Sequence, residues 1–176
     1  LRDQIARYGI NAREVLDAVE AVGGKPLGQV LEGQKRFFVQ VRFQPADRVA
    51  ARARLGLPAH GRLLASVGNL LPVKGQALAL EALRELGDGT LVVVGEGPRR
   101  ETLAELARRA RVESRVLVRP SMPQDELRWL YAACDALLLT SLREGWPNVV
   151  LEAMACATPV IAVDVGAVGE MITDPR

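Results

Sequence analysis

Two loops of this chain carry charged residues at spacings that could bind an anionic, hydroxyl-rich ligand. The first is Gly68-Asn69-Leu70-Leu71-Pro72-Val73-Lys74-Gly75. Gly68 permits close backbone approach, and Lys74 precedes a predicted helix whose free N–H groups attract phosphate. The loop is not a Walker A loop, in which the lysine follows the second glycine and precedes Ser or Thr. An ordinary surface lysine in a strand-to-helix loop is the alternative.

The second loop runs from Thr140 to Glu152 and contains the spacing Glu144-x7-Glu152. Pro147 and Asn148 suit the first turn of a helix, so Glu144 precedes that helix and Glu152 lies one turn inside it. Carboxylates accept hydrogen bonds from sugar and ribose hydroxyls, and the free amides of Asn148 to Val150 would face an anion. For Glu152 alone, a glutamate that merely matches the helix dipole is the alternative.

A third glycine-containing stretch, Gly95-Glu96-Gly97-Pro98-Arg99-Arg100, is similar to a dinucleotide-binding fingerprint. It follows the second predicted strand rather than the first, and Arg100 occupies the place of the third glycine. We therefore interpret it as a turn into a helix led by proline.

The elements that must position these loops form an alternating pattern of strands and helices. Five short apolar runs lack polar alternation, which is typical of strands buried on both faces of a parallel sheet. They are Leu63–Val67, Leu91–Val94, Val116–Val118, Ala136–Leu139 and Val160–Val163. Each intervening segment is long enough for a helical crossover. The predicted fold class is therefore α/β, with a doubly wound parallel sheet of the Rossmann-like type.

Helical periodicity in the crossovers predicts which residues face the sheet. The four stripes are Ala79, Ala82, Leu83 and Leu86; Leu103, Leu106, Ala107 and Ala110; Leu127, Leu130, Tyr131 and Cys134; and Val150, Ala153, Met154 and Ala157. Both cysteines, Cys134 and Cys156, fall in or beside these helices and are expected to be buried. Ala46–Leu55 is expected to form a short helix that ends at Gly56.

The predicted sheet brings the two charged loops together. In strand order 3-2-1-4-5 the first and fourth strands are neighbours, and ligands bind outside their carboxyl ends. The loops after Val67 and Leu139 should therefore share one crevice, with Lys74, Glu144 and Glu152 around it.

Composition excludes several classes of protein. The 176 residues are 49% apolar, 25% charged and carry a net charge of +2, so a packed core is expected. No apolar run is long enough to span a membrane. One histidine and two cysteines fit no zinc, haem or iron–sulfur spacing, and make a triad hydrolase improbable. The arginines of residues 99–119 alternate with glutamates, which indicates a solvated face rather than a nucleic-acid surface.

Residues 1–47 lack the rhythm of the remainder and are predicted to form a separate small segment. Asn11 and Glu14 make a capping box for a helix that Gly23-Gly24 would close, and residues 29–43 suit a β-hairpin. Such a segment should be less stable than the sheet. We place the boundary near Pro45–Arg48, with a C-terminally truncated domain at 48–176. The chain begins with Leu1 and shows no signal peptide, which indicates an excised piece.

The two loops and the segment that follows the second one resemble the family-4 retaining glycosyltransferases of GT-B fold. The resemblance covers about residues 42–176, and the segment is Ala153-Met154-Ala155-Cys156-Ala157-Thr158-Pro159-Val160-Ile161-Ala162. The resemblance implies the nucleotide-sugar-binding half of a two-domain enzyme. It implies catalytic roles for Lys74, on the donor diphosphate, and Glu144, on the donor sugar, with Glu152 on the ribose. The remaining donor site that it implies consists of Gly68, Asn69, Pro120, Ser121, Met122, Gly145, Asn148, Val149 and Val150.

The same resemblance implies the biochemical setting. The donor would be a UDP-, GDP- or ADP-sugar, transferred as a hexose without metal or cofactor in bacterial glycan biosynthesis. The acceptor, a glycan, lipid or small molecule, would bind a missing N-terminal domain, so this chain alone should transfer no sugar. The setting would be the cytoplasm or the inner face of the membrane. Two residues depart from the family pattern. Asn69 stands where arginine is frequent, which removes one positive charge from the diphosphate site, and Ala157 stands where glycine is usual, which would crowd the end of the helix.

Residues 1–47 instead resemble a periplasmic stretch of heavy-metal RND efflux pumps. The resemblance lies in Arg2–Asn11, Val22–Pro26, Gly28–Gly33 and Arg36-Phe37. It predicts a chimera joined near Arg42–Pro45. Two alternative functions therefore remain at this point, a fragment of a cation efflux transporter and a noncatalytic Rossmann-like binding module.

Overall fold

The computed structural model describes residues 47–172, so the helix, hairpin and low stability predicted for residues 1–47 lie outside the described residues except at Asp47. In chain order the helices and strands are α1 (Arg48–Arg54), β1 (Leu63–Val67), α2 (Gln76–Leu86), β2 (Thr90–Val94), α3 (Arg100–Arg109), β3 (Val116–Arg119), α4 (Gln124–Ala133), β4 (Ala136–Leu139), α5 (Asn148–Ala155), β5 (Val160–Ala162) and α6 (Val168–Met171). Single 3-10 turns occupy Pro72–Lys74 and Glu113–Arg115.

The five strands form one parallel sheet in the order β3-β2-β1-β4-β5, which confirms the predicted topology. Leu64 of β1 pairs with Leu91 of β2 on one side and with Ala136 of β4 on the other. After β1 the chain adds β2 and β3 on one side of that strand. It then crosses over, so that β4 pairs with the other side of β1. The carboxyl ends of β1 and β4 are therefore adjacent.

Helices cover both faces of the sheet, which explains why the strand sequences do not alternate. One face packs against α1, α4 and α5 through a buried cluster that includes Ala51, Ala65, Val92, Leu130, Leu137 and Ala153. The other face packs against α2 and α3 through a cluster that includes Leu80, Leu83, Val93, Leu103 and Leu138. Both cysteines are buried as predicted, and burial raises the pKa of the Cys134 thiol to about 12.

Two of the predicted helical stripes need correction. In α2 the buried residues are Gln76, Ala79, Leu80 and Leu83, whereas Ala82 and Leu86 are exposed. The prediction is confirmed for Ala79 and Leu83. The other buried positions differ from the predicted ones, because Leu80 packs into the cluster that joins α2 and α3 to the sheet. In α5 the helix ends at Ala155, so Ala157 lies outside it, and Met154 is 45% exposed.

Three helices end in the same backbone motif, but only one of them uses glycine for it. After α1, α3 and α5, the second residue past the helix cap donates its N–H to the carbonyl oxygen five residues back, as Thr158 does to the Ala153 carbonyl oxygen at 2.9 Å. The residue before it must adopt a left-handed conformation. Gly56 does so after α1, with φ 60°, but Arg111 and Ala157 occupy that position after α3 and α5, with φ 58° and 55°.

We expect Ala157→Gly to stabilise the fold. A side chain in the left-handed region costs roughly 1–2 kcal/mol, and the extra chain entropy of glycine in the unfolded state offsets part of that. The net gain in the free energy of unfolding should be about 0.5–1 kcal/mol, measured by urea denaturation. Ala82→Gly is the control, because Ala82 is exposed in the interior of α2, where glycine should destabilise by about 0.5–1 kcal/mol. Destabilisation by both changes would contradict the assignment of strain to Ala157.

A buried arginine ties the amino ends of β1 and β4 to α1. Arg52 is 5% exposed, and its guanidinium donates to the Ala133 and Gly61 carbonyl oxygens at 3.0 Å. It also pairs with Asp135, at 3.0 Å from Oδ2, and the same oxygen accepts from the Leu63 amide at 2.8 Å. Arg48 reaches the other oxygen of Asp135 from the protein surface. This cluster lies at the opposite end of the sheet from the charged loops.

We expect Arg52→Met to lower the free energy of unfolding by roughly 3 kcal/mol, because it leaves the buried Ala133 carbonyl oxygen without this donor and removes the buried cation from Asp135. Arg48→Met removes the other arginine from the same carboxylate, but that side chain is 51% exposed. Its loss should cost less than about 1 kcal/mol. Denaturant titration of both variants checks the difference, and equal losses would show that burial does not set the value of the interaction.

Candidate functional site

Backbone contacts hold the loops after β1 and β4 against each other. The Leu142 amide donates to the Val73 carbonyl oxygen at 2.8 Å, and the Thr140 hydroxyl donates to the Lys74 carbonyl oxygen at 3.4 Å. Gly75 has φ 62°, and a Cβ at that position would lie 2.0 Å from the Thr140 carbonyl oxygen. Because no other residue fits there, Gly75 allows the two loops to meet.

The contact between the loops brings a lysine, a glutamate and a serine together. Lys74 Nζ lies 2.6 Å from Glu144 Oε1, and the Ser141 hydroxyl donates to that same oxygen at 2.6 Å. The Glu144 side chain is 8% exposed and that of Lys74 is 28% exposed. One oxygen of Glu144 is therefore committed to the protein, and the lysine remains partly open to solvent. The sequence predicted that these two residues share a crevice, and the structure shows a direct ion pair.

The floor beside Lys74 is made of backbone. A Cβ on Gly68 would lie 3.9 Å from Lys74 Cε, so the lysine side chain lies over this glycine. Gly68 in turn abuts the loop after β2, because a Cβ on Gly95 would lie 2.0 Å from the Gly68 carbonyl oxygen. Asn69 has an exposed side chain, and its carbonyl oxygen accepts from Gln76 Nε2 at 3.0 Å. The lysine thus lies on closely packed loops.

The start of α5 is less open than the sequence predicted. Pro147 is the N-cap and Asn148 the first helical residue, in agreement with the prediction. The Val150 amide, however, donates to the Pro147 carbonyl oxygen at 3.0 Å, so it is not free to bind an anion. The first turn folds back on the proline, as in a 3-10 turn. Among the described residues, the amides of Asn148 and Val149 have no acceptor and could meet an anion.

Glu152 contacts α4 rather than the Lys74–Glu144 pair. Its Oε2 accepts from the Tyr131 hydroxyl at 2.7 Å. The carboxylate lines a shallow depression between α4 and α5, and the other residues of that depression are Gln124, Leu127, Arg128, Tyr131 and Cys156. Burial raises the pKa of the Cys156 thiol to about 11, and the nearby charge of Glu152 contributes. Glu152 is thus half-buried, with its carboxylate bonded to a residue near the carboxyl end of α4.

A third loop, after β5, supports the loop that carries Glu144. A Cβ on Gly166 would lie 2.0 Å from the Glu144 carbonyl oxygen, and the Ala167 amide donates to the Gly145 carbonyl oxygen at 3.1 Å. Gly145 itself is exposed. The backbone on both sides of Glu144 is therefore held by neighbouring loops.

The two remaining predicted stretches lie at the carboxyl ends of β3 and β2. Pro120 and Ser121 are exposed after β3, and Met122 packs against the cluster beneath α4. The glycine-containing stretch after β2 forms a turn, and helix α3 begins at Arg100, so Pro98 lies before the helix and does not lead it. This turn packs against the loop after β1, where the Leu70 amide donates to the Glu96 carbonyl oxygen at 2.7 Å.

The structure therefore unites some predicted site residues and separates others. Lys74, Glu144 and the start of α5 surround the ends of β1 and β4, whereas Glu152 and Pro120–Met122 lie toward α4. Sequence reasoning missed Ser141 and Tyr131 as partners of the two glutamates. A buried tyrosine hydroxyl generally requires a hydrogen-bond partner, which was the available signal for Tyr131.

Two features of other classes of protein are absent from the described residues. Within residues 47–172, no group of three or more His, Cys, Asp and Glu side chains could hold a metal ion. Over the same range, every helix is too short or too polar to cross a membrane.

Comparison with known proteins gives one consistent family. The family model described as "Glycosyl transferases group 1" matches residues 47–175. The D-inositol 3-phosphate glycosyltransferase of Mycobacterium bovis is 36% identical over 138 residues, which are 75% of this chain and 28% of that protein. The chain thus spans less than a third of the length of the curated relatives it matches.

Solved structures of similar fold agree with the family match. The crystal structure of Anabaena HepE in complex with UDP-glucose superposes with a TM-score of 0.66 and 28% identity, over 77% of this chain and 38% of that one. The C-terminal domain of a glycosyl transferase group 1 family protein, LpcC of Francisella tularensis, superposes with a TM-score of 0.64 and 27% identity, over 77% and 74% of the two chains.

We expect Gly75→Ala to disrupt the junction of the two loops. Gly75 and Gly87 flank α2, and both have a left-handed φ, 62° and 72°. A Cβ on Gly87 meets nothing within 4 Å, so Gly87→Ala measures the backbone strain alone. Gly75→Ala adds a clash with Thr140, which should cost about 1–3 kcal/mol more in the free energy of unfolding. Equal destabilisation of the two variants, measured by urea titration, would show that the close approach of Gly75 to Thr140 does not contribute to stability.

Proposed function

The chain belongs to the glycosyl transferase group 1 family, and from this premise we propose that residues 47–172 are the donor half of such an enzyme. In this proposal a nucleoside diphosphate sugar lies across the carboxyl ends of β1 and β4. The diphosphate lies beside Lys74 and the start of α5, and the nucleoside extends toward α4.

The observation that carries the proposal is the ion pair of Lys74 and Glu144, 2.6 Å apart at the mouth of the crevice. Lys74 is the one lysine within residues 47–172, and it is partly exposed on a floor of backbone. A diphosphate can approach the lysine from its open side. Glu144 keeps its second oxygen for a hydroxyl of the donor sugar, while Ser141 and Lys74 hold the first.

The chemistry that we propose is electrostatic. When the bond between the sugar C1 and the diphosphate oxygen breaks, negative charge develops on the leaving diphosphate. Lys74 and the amides of Asn148 and Val149 would stabilise that charge in place of a metal ion. Retention of configuration and transfer of a hexose are proposed on the resemblance of the motifs to family-4 enzymes.

Recognition of the nucleoside is assigned to the region near α4. Glu152, on the depression between α4 and α5, would accept hydrogen bonds from the ribose hydroxyls. Pro120, Ser121 and Met122, at the end of β3, would frame the base. The HepE complexes contain UDP and UDP-glucose, which makes UDP the first nucleotide to test.

The glycan, lipid or small-molecule acceptor is proposed to bind elsewhere in the full-length protein, in the cytoplasm or at the inner face of a membrane. Asn69 lies exposed beside the proposed diphosphate position. It supplies no positive charge there, so we expect weaker donor binding than in relatives with arginine at this place. The RND resemblance and the predicted chimera concern residues outside the family match and remain predictions.

We expect the chain to bind one of UDP, GDP and ADP, and Lys74→Ala to abolish most of that binding in calorimetric titration. Glu152→Ala should weaken binding several-fold or more, because a charge-assisted hydrogen bond contributes roughly 1.5–3 kcal/mol. Arg84→Ala and Glu101→Ala are the matched controls, since both side chains are exposed on α2 and α3, away from the crevice. Absence of binding by all three nucleotides would refute the proposed function. Equal affinities for Glu152→Ala and Glu101→Ala would refute the ribose assignment.

A further inference from the structure

Glu152, which the proposed function places at the donor ribose, is itself held by a residue that is almost wholly buried. The Tyr131 hydroxyl donates to Glu152 Oε2 at 2.7 Å, and the bond joins α4 to α5. Tyr131 is 1% exposed, whereas Glu152 is half-buried and lines the depression between the two helices. Because the tyrosine is almost wholly buried and its hydroxyl is bonded to Glu152, its main route to a ligand is through the carboxylate.

The direction of this hydrogen bond is fixed by charge. Burial raises the pKa of the Tyr131 phenol far above its ordinary value, and the neighbouring Glu152 carboxylate raises it further. The phenol therefore keeps its proton and donates the hydrogen bond to the Glu152 carboxylate. Oε2 is thereby occupied from the protein side, and Oε1 remains to accept hydrogen bonds from a ligand in the depression.

The Tyr131 ring is fixed by packing, and its backbone accepts a separate hydrogen bond. The Thr158 hydroxyl, in a residue 4% exposed, donates to the Tyr131 carbonyl oxygen at 2.7 Å. The ring packs in the cluster between the sheet and α4, together with Leu63, Leu137 and Ala153. Tyr131 is thus a fixed donor on a rigid helix, which is the arrangement that holds a neighbouring carboxylate in one rotamer.

We propose that Tyr131 is a positioning residue for ribose recognition, acting by holding the Glu152 carboxylate so that Oε1 faces the ribose hydroxyls. This inference rests on the proposed function, because it requires Glu152 to contact the ribose. It adds that preference for a nucleotide with free 2′ and 3′ hydroxyls depends on a buried phenol whose hydroxyl is bonded to Glu152.

The test is Tyr131→Phe, which keeps the ring and removes the hydroxyl. The probes are whichever of UDP, GDP and ADP binds the native chain most tightly, and the 2′,3′-dideoxy analogue of that nucleotide. Loosening the carboxylate should weaken binding of the ribonucleotide roughly three- to tenfold. Affinity for the dideoxy analogue should not change, because that analogue has no hydroxyl for Glu152 to bind. Loss of both affinities by the same factor, or of neither, would overturn the proposal.

Thr158→Val is the matched control. It removes an equally buried hydroxyl whose bond ends on the Tyr131 backbone and not on Glu152. The melting temperature is expected to fall, while the ratio of ribonucleotide to dideoxynucleotide affinity should stay at its native value. A ratio that fell as far as in Tyr131→Phe would show that any loosening between α4 and α5 is sufficient, and would overturn the specific role of the phenol.

The double variant Tyr131→Phe/Glu152→Ala separates this inference from the proposed function. If the tyrosine acts through the glutamate, Tyr131→Phe should have no further effect on affinity once Glu152 is alanine. A full additional loss would overturn the inference while the ribose role of Glu152 stands. If Glu152→Ala alone leaves the affinity ratio at its native value, or if no nucleotide binds the native chain, the ribose assignment fails and the inference fails with it.

Discussion

The parallel pairing of β4 beside β1 is the constraint on which the rest of the described structure depends. The chain builds β2 and β3 on one side of β1 and then crosses to place β4 and β5 on the other. At that crossing, the helices that follow β1 and β4 leave toward opposite faces of the sheet. The loops between strand and helix are left facing each other, with a crevice between them at this switch point. Lys74 and Glu144 meet because each follows one of these strands.

Close contact between those loops depends on backbone atoms with no side chain between them. Gly75 against Thr140, Gly95 against Gly68 and Gly166 against Glu144 are each approaches of 2.0 Å for a Cβ that glycine lacks. These contacts connect the loops after β1, β2, β4 and β5 in series. Because the loops are held together in this way, the backbone positions of the charged residues are fixed. The Arg52–Asp135 cluster fixes the other ends of the same two central strands.

The fold was largely predictable from the sequence, and the details of the candidate site were not. Non-alternating apolar runs identify strands covered on both faces, so all five strands and their order could be inferred. The pairing of one polar side chain with another follows no such periodic pattern, so the sequence does not reveal it. Tyr131 fits the apolar stripe of α4 as well as a leucine would, and its partner Glu152 lies on another helix. The occupied amide of Val150 depends on how the first turn closes on Pro147, which a capping pattern does not specify.

Both thiols of the chain are expected to be unreactive at neutral pH. Cys134 and Cys156 are the two cysteines of the sequence, both are buried, and their pKa values are raised to about 12 and about 11. Alkylation and oxidation proceed through the thiolate, which such thiols scarcely form at neutral pH. A single cysteine placed on an exposed helix would therefore react almost alone with a maleimide dye. The natural sequence can thus serve directly as a background for site-specific fluorophores, and no native cysteine has to be replaced.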